Sequence, residues 1–161
     1  MTGRRYTLKL LLASTAWLLS PLRARAASLP PEVEAALRDA ELIYVATRRK
    51  SGALSEISPI WFYYMGDGQL FFSTAPDSWK AKRIAEGSAL YIWVGDKQGP
   101  FLEGRAVATT DAALIDRMGE AYANKYWIAW LGLFKPRSDR VDSGKTKAYV
   151  VTLTHSAPPA S

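Results

Sequence analysis

The sequence predicts a mainly β fold of the α+β class: a small six-stranded antiparallel barrel with two or three flanking helices. Three observations support this prediction. Short runs of β-branched and aromatic residues recur along the chain, turn signals such as Gly66-Asp-Gly68 separate them, and only a few stretches repeat with a helical period. A length of 161 residues with 48% apolar residues is enough for one domain with a substantial core.

The first helix and the first three strands are predicted from periodicity and turn chemistry. Pro31 suits the first turn of a helix that ends near Ala40 and has its apolar residues on one face. Strands are expected at residues 42–48, 55–64 and 69–73. Pro59 cannot donate a ladder hydrogen bond, so we expect it at an edge or a bulge of the sheet, or at a position where a ligand approaches the backbone. Both faces of that strand are apolar, which is typical of a barrel wall with the core on one side and a partner or cofactor on the other.

A second helix precedes the remaining strands. Asp77 can cap a helix from Ser78 to about Glu86, with Ile84 and Ala85 facing the core. The remaining strands are predicted at residues 88–94, 101–109 and 146–154, with a helix from about residue 110 and a polar loop at residues 135–145 between the last two.

The formal net charge of +6 is concentrated at the N-terminus. Five of the 21 basic residues precede residue 27, where no acidic residue occurs, which leaves 16 basic against 15 acidic residues in the rest of the chain. Because the domain itself is nearly neutral, the charge does not indicate a nucleic-acid partner. The chain contains no cysteine and one histidine, so the sequence predicts neither a disulfide nor a zinc site.

Residues 1–26 have the three parts of a cleavable signal peptide. Basic residues precede the apolar run Leu10–Leu22, and Ala24-Arg-Ala26 matches an A-x-A cleavage site. The apolar run is short for a membrane span, so cleavage is preferred over a membrane anchor. Arg4-Arg-Tyr-Thr-Leu-Lys9 resembles the twin-arginine export motif. We therefore expect a single domain at residues 27–161, exported in its folded state to the periplasm or secreted, without stable membrane insertion.

The stretch that follows the third strand has the residue types of a phosphate site. Ser73 and Thr74 end the strand, and Ser78 and Lys80 follow where the second helix is predicted to start. Hydroxyl groups, a helix N-terminus and a lysine side by side suit a phosphate group. The alternative interpretation of Lys80 is a solvated helix residue.

The order of the elements over about residues 42–153 resembles the pyridoxamine 5′-phosphate oxidase-like, FMN-binding split β-barrels. The most specific local piece is Phe72-Ser-Thr-Ala-Pro-Asp-Ser-Trp-Lys80, which is similar to the family's aromatic-Thr-Asn followed by Ser-Arg-Lys. The resemblance implies that FMN is the cofactor. The residues that it implies around the FMN phosphate are Ser73, Thr74, Ser78 and Lys80. The residues that it implies beside the flavin ring are Ser58, Pro59, Ile60 and Trp61.

Three positions depart from the pattern of the true oxidases. Trp79 stands where the family has an arginine, and Lys82 or Arg83 could take over its phosphate contact. Ser58 and Tyr63 stand where the oxidases have an arginine and the lysine that holds the substrate phosphate. The resemblance therefore implies a relative that acts on a different small-molecule substrate.

The leading hypothesis is an exported FMN-binding oxidoreductase, with no catalytic side chain identified. Family members are usually homodimers with each flavin at the subunit interface, and Trp127 and Trp130 could close the partner's site. One alternative is a non-catalytic periplasmic protein that carries haem or a small apolar ligand. His155, the only histidine, is a minor candidate for haem ligation. A second alternative is a relative that uses the deazaflavin F420.

Overall fold

The computed structural model describes residues 28–127, 131 and 135–159. The signal peptide predicted at residues 1–26 and Trp130 lie outside the described residues. The strands are β1 (Leu42–Thr47), β2 (Ser58–Trp61), β3 (Tyr63–Gly66), β4 (Gln69–Thr74), β5 (Leu90–Val94), β6 (Phe101–Thr109) and β7 (Lys147–His155). The helices are α1 (Pro31–Asp39), α2 (Trp79–Ala85), α3 (Ala112–Lys125) and α4 (Ser138–Asp142). None of these described helices is long and apolar enough to cross a membrane.

The seven strands form one antiparallel sheet in the order β2-β1-β5-β6-β7-β4-β3. β2 pairs with β1 and β3 pairs with β4, so the two strands lie at opposite ends of this order. Only Phe62 separates them in sequence. Because one residue joins the two ends of the sheet, the sheet must curl until its edges approach each other. The result is the half-barrel with flanking helices that the sequence predicts.

The number of strands differs from the prediction. The sequence pattern predicts one strand at residues 55–64, but the structure breaks it at Phe62 into β2 and β3, which gives seven strands and not six. The break has a physical reason: the two halves hydrogen-bond to different partners, β1 and β4. The expected edge position of Pro59 is confirmed, since it pairs only with Tyr44 of β1 and needs no amide on its outer side.

The main core fills the interior of the curled sheet. Ile92 of β5, Leu102 of β6 and Val151 of β7 are fully buried there. Gly104 lies among them, and the position requires glycine because a Cβ atom there would collide with the Val151 side chain. Helix α1 closes one side of this core with Leu37, which is also fully buried. Burial of these aliphatic side chains is the main source of the stability of the barrel.

Helix α3 covers a second apolar cluster on another part of the sheet. Asp111 caps the helix, because its side chain accepts a hydrogen bond from the backbone N–H of Leu114 at 3.1 Å. Ile115 and Tyr122 are buried against Phe71 of β4. The helix therefore places Tyr122 and Lys125 of its last turn, and its C-cap Tyr126, beside the junction between β2 and β3.

Two local predictions were wrong. Ser78, not Asp77, is the N-cap of α2, because its hydroxyl accepts a hydrogen bond from the Ala81 N–H. Ile84 is buried as expected, but its inner-face neighbour is Ala81, three residues earlier, and Ala85 is exposed. The segment predicted as a polar loop also contains α4, a short helix with no buried residue and hence no apolar period in the sequence.

Candidate functional site

A cleft of about 360 Å³ lies where β1, the start of β2 and α2 meet; we call it the first cleft. Its walls carry both hydroxyl and basic side chains. The residues that line it are Val45, Ala46, Thr47, Arg49, Ser55, Glu56, Ser58, Ser78, Trp79, Lys80 and Arg83. Three of the residues predicted to bind a cofactor, Ser58, Ser78 and Lys80, thus come together from two separate stretches of the sequence.

Three cations face the first cleft without a carboxylate partner. The side chains of Arg49, Lys80 and Arg83 line it, and none of them forms an ion pair among the residues that the structure describes. Glu56 is the single acidic residue on the wall, and it too makes no ion pair in that part of the chain. Lys80 is partly buried, and this burial lowers the pKa of its ammonium group. The cleft therefore concentrates positive charge that the protein does not neutralise.

Arg83 lies close to Trp79, the position where the sequence pattern lacks its arginine. Its guanidinium Nη1 lies 3.4 Å from the Thr47 hydroxyl and its Cζ lies 5.4 Å from the centre of the Trp79 ring. Lys82 Nζ lies 4.9 Å from the same ring. The two contacts hold both cations against an indole that is 69% exposed, a typical cation–π arrangement. Of the two candidates from the sequence, Arg83 lines the cleft and Lys82 does not.

The hydroxyl groups link the cleft to the end of β4. Ser78 Oγ lies 3.3 Å from Thr74 Oγ1 and also caps α2. Thr74 therefore reaches the site through Ser78, although it does not line the first cleft itself. Ser55 Oγ, on the opposite wall, accepts a hydrogen bond from the Thr47 N–H at 3.1 Å. The Ser55 hydroxyl donates its own proton to the Glu56 carbonyl at 3.1 Å. The Ser78 hydroxyl can donate toward the cleft when Thr74 Oγ1 is the donor of their pair.

The other predicted residues do not line the first cleft. Pro59 is exposed, and Ile60 packs against the main core. Trp61 stacks on Tyr126, with ring centroids 4.6 Å apart and an angle of 8° between the planes. Ser73 is half-buried one residue before Thr74. These four residues remain predicted neighbours of a cofactor that extends beyond the first cleft.

Sequence reasoning missed Arg49, which lies opposite α2. Arg49 follows β1 in a turn whose N–H groups bond back within the loop, including Arg49 N–H to the Ala53 carbonyl at 2.8 Å. The run Arg48-Arg-Lys50 carries three successive positive charges, but the sequence pattern was used there only to end the strand at residue 48 and begin a turn. A basic run directly after a strand was the available signal.

The junction around Phe62, which we call the seam, contrasts with the first cleft. The Phe62 N–H donates to the Tyr126 hydroxyl at 3.1 Å, and that hydroxyl donates to the Glu41 carbonyl at 2.6 Å. Tyr122 donates to the Trp61 carbonyl at 2.9 Å. The backbone groups freed by the break between β2 and β3 thus find partners on α3.

Lys125 completes the seam. Its Nζ donates to the Phe62 carbonyl at 3.2 Å and lies 3.8 Å from the centre of the Phe62 ring. Burial lowers the pKa of Lys125 to about 8, although the nearby Glu41 carboxylate opposes the shift. Burial also raises the pKa of Tyr126 to about 12. Both groups serve the backbone of the barrel, so their perturbed pKa values have a structural explanation.

His155 and Trp127 lie away from the first cleft. His155 is exposed at the end of β7, where it pairs with Leu102. Trp127 is 77% exposed just after α3. Within residues 28–127, 131 and 135–159, no group of three or more His, Asp or Glu side chains could hold a metal ion.

The chemistry of the first cleft fits a phosphate group. Two arginines supply planar guanidinium groups that can bind phosphate oxygens in pairs, and Lys80 supplies a point charge. Ser58 and Ser78, which were both predicted to contact the cofactor, add neutral hydrogen-bond donors to the same cleft. A dianion would offset both the unpaired charge and the partial burial of Lys80.

Comparison with known proteins gives one family and one fold. The family model described as pyridoxamine 5′-phosphate oxidase matches residues 29–156. Among solved structures, an F420 reductase is 21% identical over 78% of this chain and 96% of its own, with a TM-score of 0.52. General Stress Protein 26 from Bacillus anthracis str. Sterne is 17% identical over 76% of this chain and 86% of its own, with a TM-score of 0.54. HupZ from Group A Streptococcus is 14% identical over 83% of this chain and all of its own, with a TM-score of 0.54. At these identities the structures show a shared fold. A search of curated proteins found no match.

Proposed function

This chain belongs to the pyridoxamine 5′-phosphate oxidase family, and we propose that it is a flavin-binding oxidoreductase with FMN as the group in its first cleft. One observation carries the proposal: three cations that form no ion pair within the described part of the chain line a cleft that also contains Ser58 and Ser78. Without such a cleft, membership of the family would support the barrel fold but not a bound anion. The unpaired charge supports a bound anion.

Lys80 and Arg83 are the proposed phosphate ligands from α2, and Arg49 is the ligand from the facing turn. A guanidinium binds two phosphate oxygens at once, and hydrogen bonds to charged groups are each worth about 1.5–3 kcal/mol. Ser78 can donate its hydroxyl proton to the same phosphate while accepting from the Ala81 N–H. The phosphate would therefore be held from two sides of the cleft.

The flavin ring is proposed to lie along β2. β2 is the edge strand next to β1, and Ser58 connects it with the first cleft. Pro59 carries no N–H, so the backbone beside it presents carbonyl groups without a competing donor. The indole of Trp61 is held by its stack on Tyr126, which fixes the wall that the ring would meet. When bound, the flavin supplies hydride and single-electron transfer, and the protein supplies its position and polarity.

The proposed substrate is a small molecule other than pyridoxamine 5′-phosphate. Tyr63, at the position of the substrate-binding lysine of the oxidases, is half-buried on β3 and offers a phenol in place of an ammonium group. A phosphorylated substrate would therefore find no lysine at this position to bind its phosphate. We also propose that the chain is a homodimer with the flavin at its interface, and that it is exported by the twin-arginine route. Cell fractionation with an Arg4→Lys, Arg5→Lys double variant tests the export.

Cofactor analysis of the purified chain tests the main proposal. We expect a flavin absorbance band, release of FMN identified by mass spectrometry, and a Kd for FMN in the micromolar range or below. Folded protein without flavin and without micromolar affinity for FMN would contradict the proposal. A Soret band in place of the flavin band would favour the haem carrier.

F420 is the second candidate cofactor, because the chain shares its fold with an F420 reductase. F420 also carries a phosphate, so the first cleft suits both cofactors. The two are separated by fluorescence of the bound cofactor and by the mass of the released molecule. Tighter binding of F420 than of FMN to the cofactor-free chain would replace FMN in the proposal.

A further inference from the structure

A second cleft of about 560 Å³ adjoins the first. It lies between the turn after β1 and the end of α2. The residues that line it are Arg48, Arg49, Lys50, Arg83, Glu86, Gly87 and Ser88. Arg49 and Arg83 line both clefts, so the two clefts are adjacent and share two cationic side chains.

The second cleft also has an excess of positive charge. Arg48 is held in place by hydrogen bonds from Nε to the Tyr91 hydroxyl at 3.0 Å and from Nη1 to the Gly52 carbonyl at 2.7 Å. Lys50 forms an exposed ion pair with Glu86, with 3.5 Å between the charged atoms. Exposed pairs of this kind contribute little to folding. Four cations therefore face one carboxylate, which reaches only Lys50.

We propose that the second cleft binds a second phosphate next to the first, so that the two clefts together hold a diphosphate group, such as that of a flavin dinucleotide. The inference rests on the proposed function in one respect: the phosphate in the first cleft belongs to the flavin. A diphosphate needs two adjoining anion sites, and the shared Arg49 and Arg83 side chains provide a common wall for both. The bridging position of two guanidinium groups suits this ligand better than it suits a single phosphate.

Glu86 is the residue that limits this site. Its carboxylate forms an ion pair with Lys50 in the free protein and would lie near the incoming phosphate. Binding must therefore break one weak ion pair and tolerate one like charge. Removing the charge of Glu86 should strengthen binding of a diphosphate, whereas removing Lys50 should weaken it.

Inorganic pyrophosphate and inorganic phosphate test the site without a flavin. We expect titration calorimetry at constant ionic strength to give a pyrophosphate Kd at least about tenfold below the phosphate Kd, which corresponds to one additional charged contact. The Glu86→Gln variant should lower the pyrophosphate Kd severalfold and leave the phosphate Kd unchanged. Lys50→Ala should bring the pyrophosphate Kd toward the phosphate value. Lys145→Ala, which removes an exposed basic residue outside both clefts, is the matched control.

The variants also separate this inference from the proposed function. Equal affinity for the two anions, or no response to Glu86→Gln and Lys50→Ala in folded variants, would overturn the second site. Tight pyrophosphate binding without any flavin binding would support the second phosphate site but contradict the proposal that the chain binds a flavin.

Comparison of two flavin nucleotides tests whether the flavin itself carries the second phosphate. If FAD, which has a diphosphate, binds more tightly than FMN and loses that advantage in the Lys50→Ala variant, the second cleft holds its second phosphate. If FAD and FMN bind equally, the inference is wrong.

Discussion

Polar side chains cluster both at the seam and in the first cleft, but the two clusters differ in how far the described residues satisfy them. At the seam, Tyr122, Lys125 and Tyr126 satisfy backbone groups that the break at Phe62 leaves without strand partners. In the first cleft, Lys80 and its neighbouring arginines have no ion pair among the residues described. Satisfied polar groups stabilise the fold, whereas unpaired charges cost free energy until a ligand binds. The comparison separates a structural role from the proposed binding role in one small barrel.

Replacement of Tyr126 should give the largest effect and should act on folding. Tyr126→Ala removes the stack on Trp61 and the hydroxyl contacts, so we expect the free energy of unfolding to fall by about 3–5 kcal/mol. Tyr126→Phe keeps the ring but leaves the buried Phe62 N–H without its acceptor, at a cost of about 1–3 kcal/mol. Urea unfolding measures both. Tyr44→Phe is the control, and a Tyr126→Phe variant as stable as that control would contradict the role of the seam.

Replacement of Lys80 should act on binding and not on folding. Lys80→Ala removes one charged contact to the proposed phosphate, so the Kd for FMN should rise about 10–100-fold. The free energy of unfolding should stay the same or rise, because a partly desolvated cation is removed. Fluorescence titration with FMN measures the first quantity. Lys82→Ala, which removes an exposed cation from the same helix, should change neither, and an equal effect of both variants would refute specific phosphate binding.

Ser78 has both a structural role, as the N-cap of α2, and a proposed role in phosphate binding. Its variants can therefore separate effects on folding from effects on binding. Ser78→Ala removes the N-cap of α2 and should cost about 1 kcal/mol of folding free energy together with a few-fold loss of FMN affinity. Ser78→Asp should restore the cap, because aspartate is an equally good N-cap, but its charge should repel the phosphate. Recovery of stability with a further loss of affinity is the expected pattern. Recovery of both would remove Ser78 from the phosphate site.

The smallest effect concerns pH. The pKa of Lys125 is about 8 in the folded chain, below the ordinary value of about 10.4, so the unfolded chain binds more protons between these values. The free energy of unfolding should therefore rise from pH 7.5 to 9.5, by at most about 1 kcal/mol because the ammonium is only partly buried. Tyr126 opposes this trend only above pH 10. Lys125→Met should have a flatter profile, and an unchanged slope would contradict the assignment.

The sequence predicted the barrel but not its closure. Alternating aromatic residues indicate a strand at residues 55–64, and Pro59 indicates an edge. The break at Phe62 depends on Tyr126, which lies 64 positions further along the chain. No local pattern contains that contact. The seam therefore appears only when α3 is packed on the sheet.

The first cleft was predicted in part for a similar reason. Ser78 and Lys80 are neighbours in sequence, so their spacing was sufficient to predict them as one site. Arg49 comes from the turn after β1, and only the curl of the sheet brings it opposite α2. Trp61 was predicted beside the flavin ring, but its stack on Tyr126 could not be read from the alternation of β2. Local chemistry identified one wall of the cleft, and tertiary structure supplied the other.

The position of β7 has a consequence for how the protein is made. β7 is the last described strand in sequence, yet it pairs with β6 on one side and with β4 on the other. During synthesis the earlier strands emerge first, and the facing edges of β4 and β6 stay unpaired until residues 147–155 leave the ribosome. Such edges favour association between chains. The nascent chain therefore passes through an aggregation-prone interval that ends only when β7 inserts, and a chaperone that covers these edges would act in that interval.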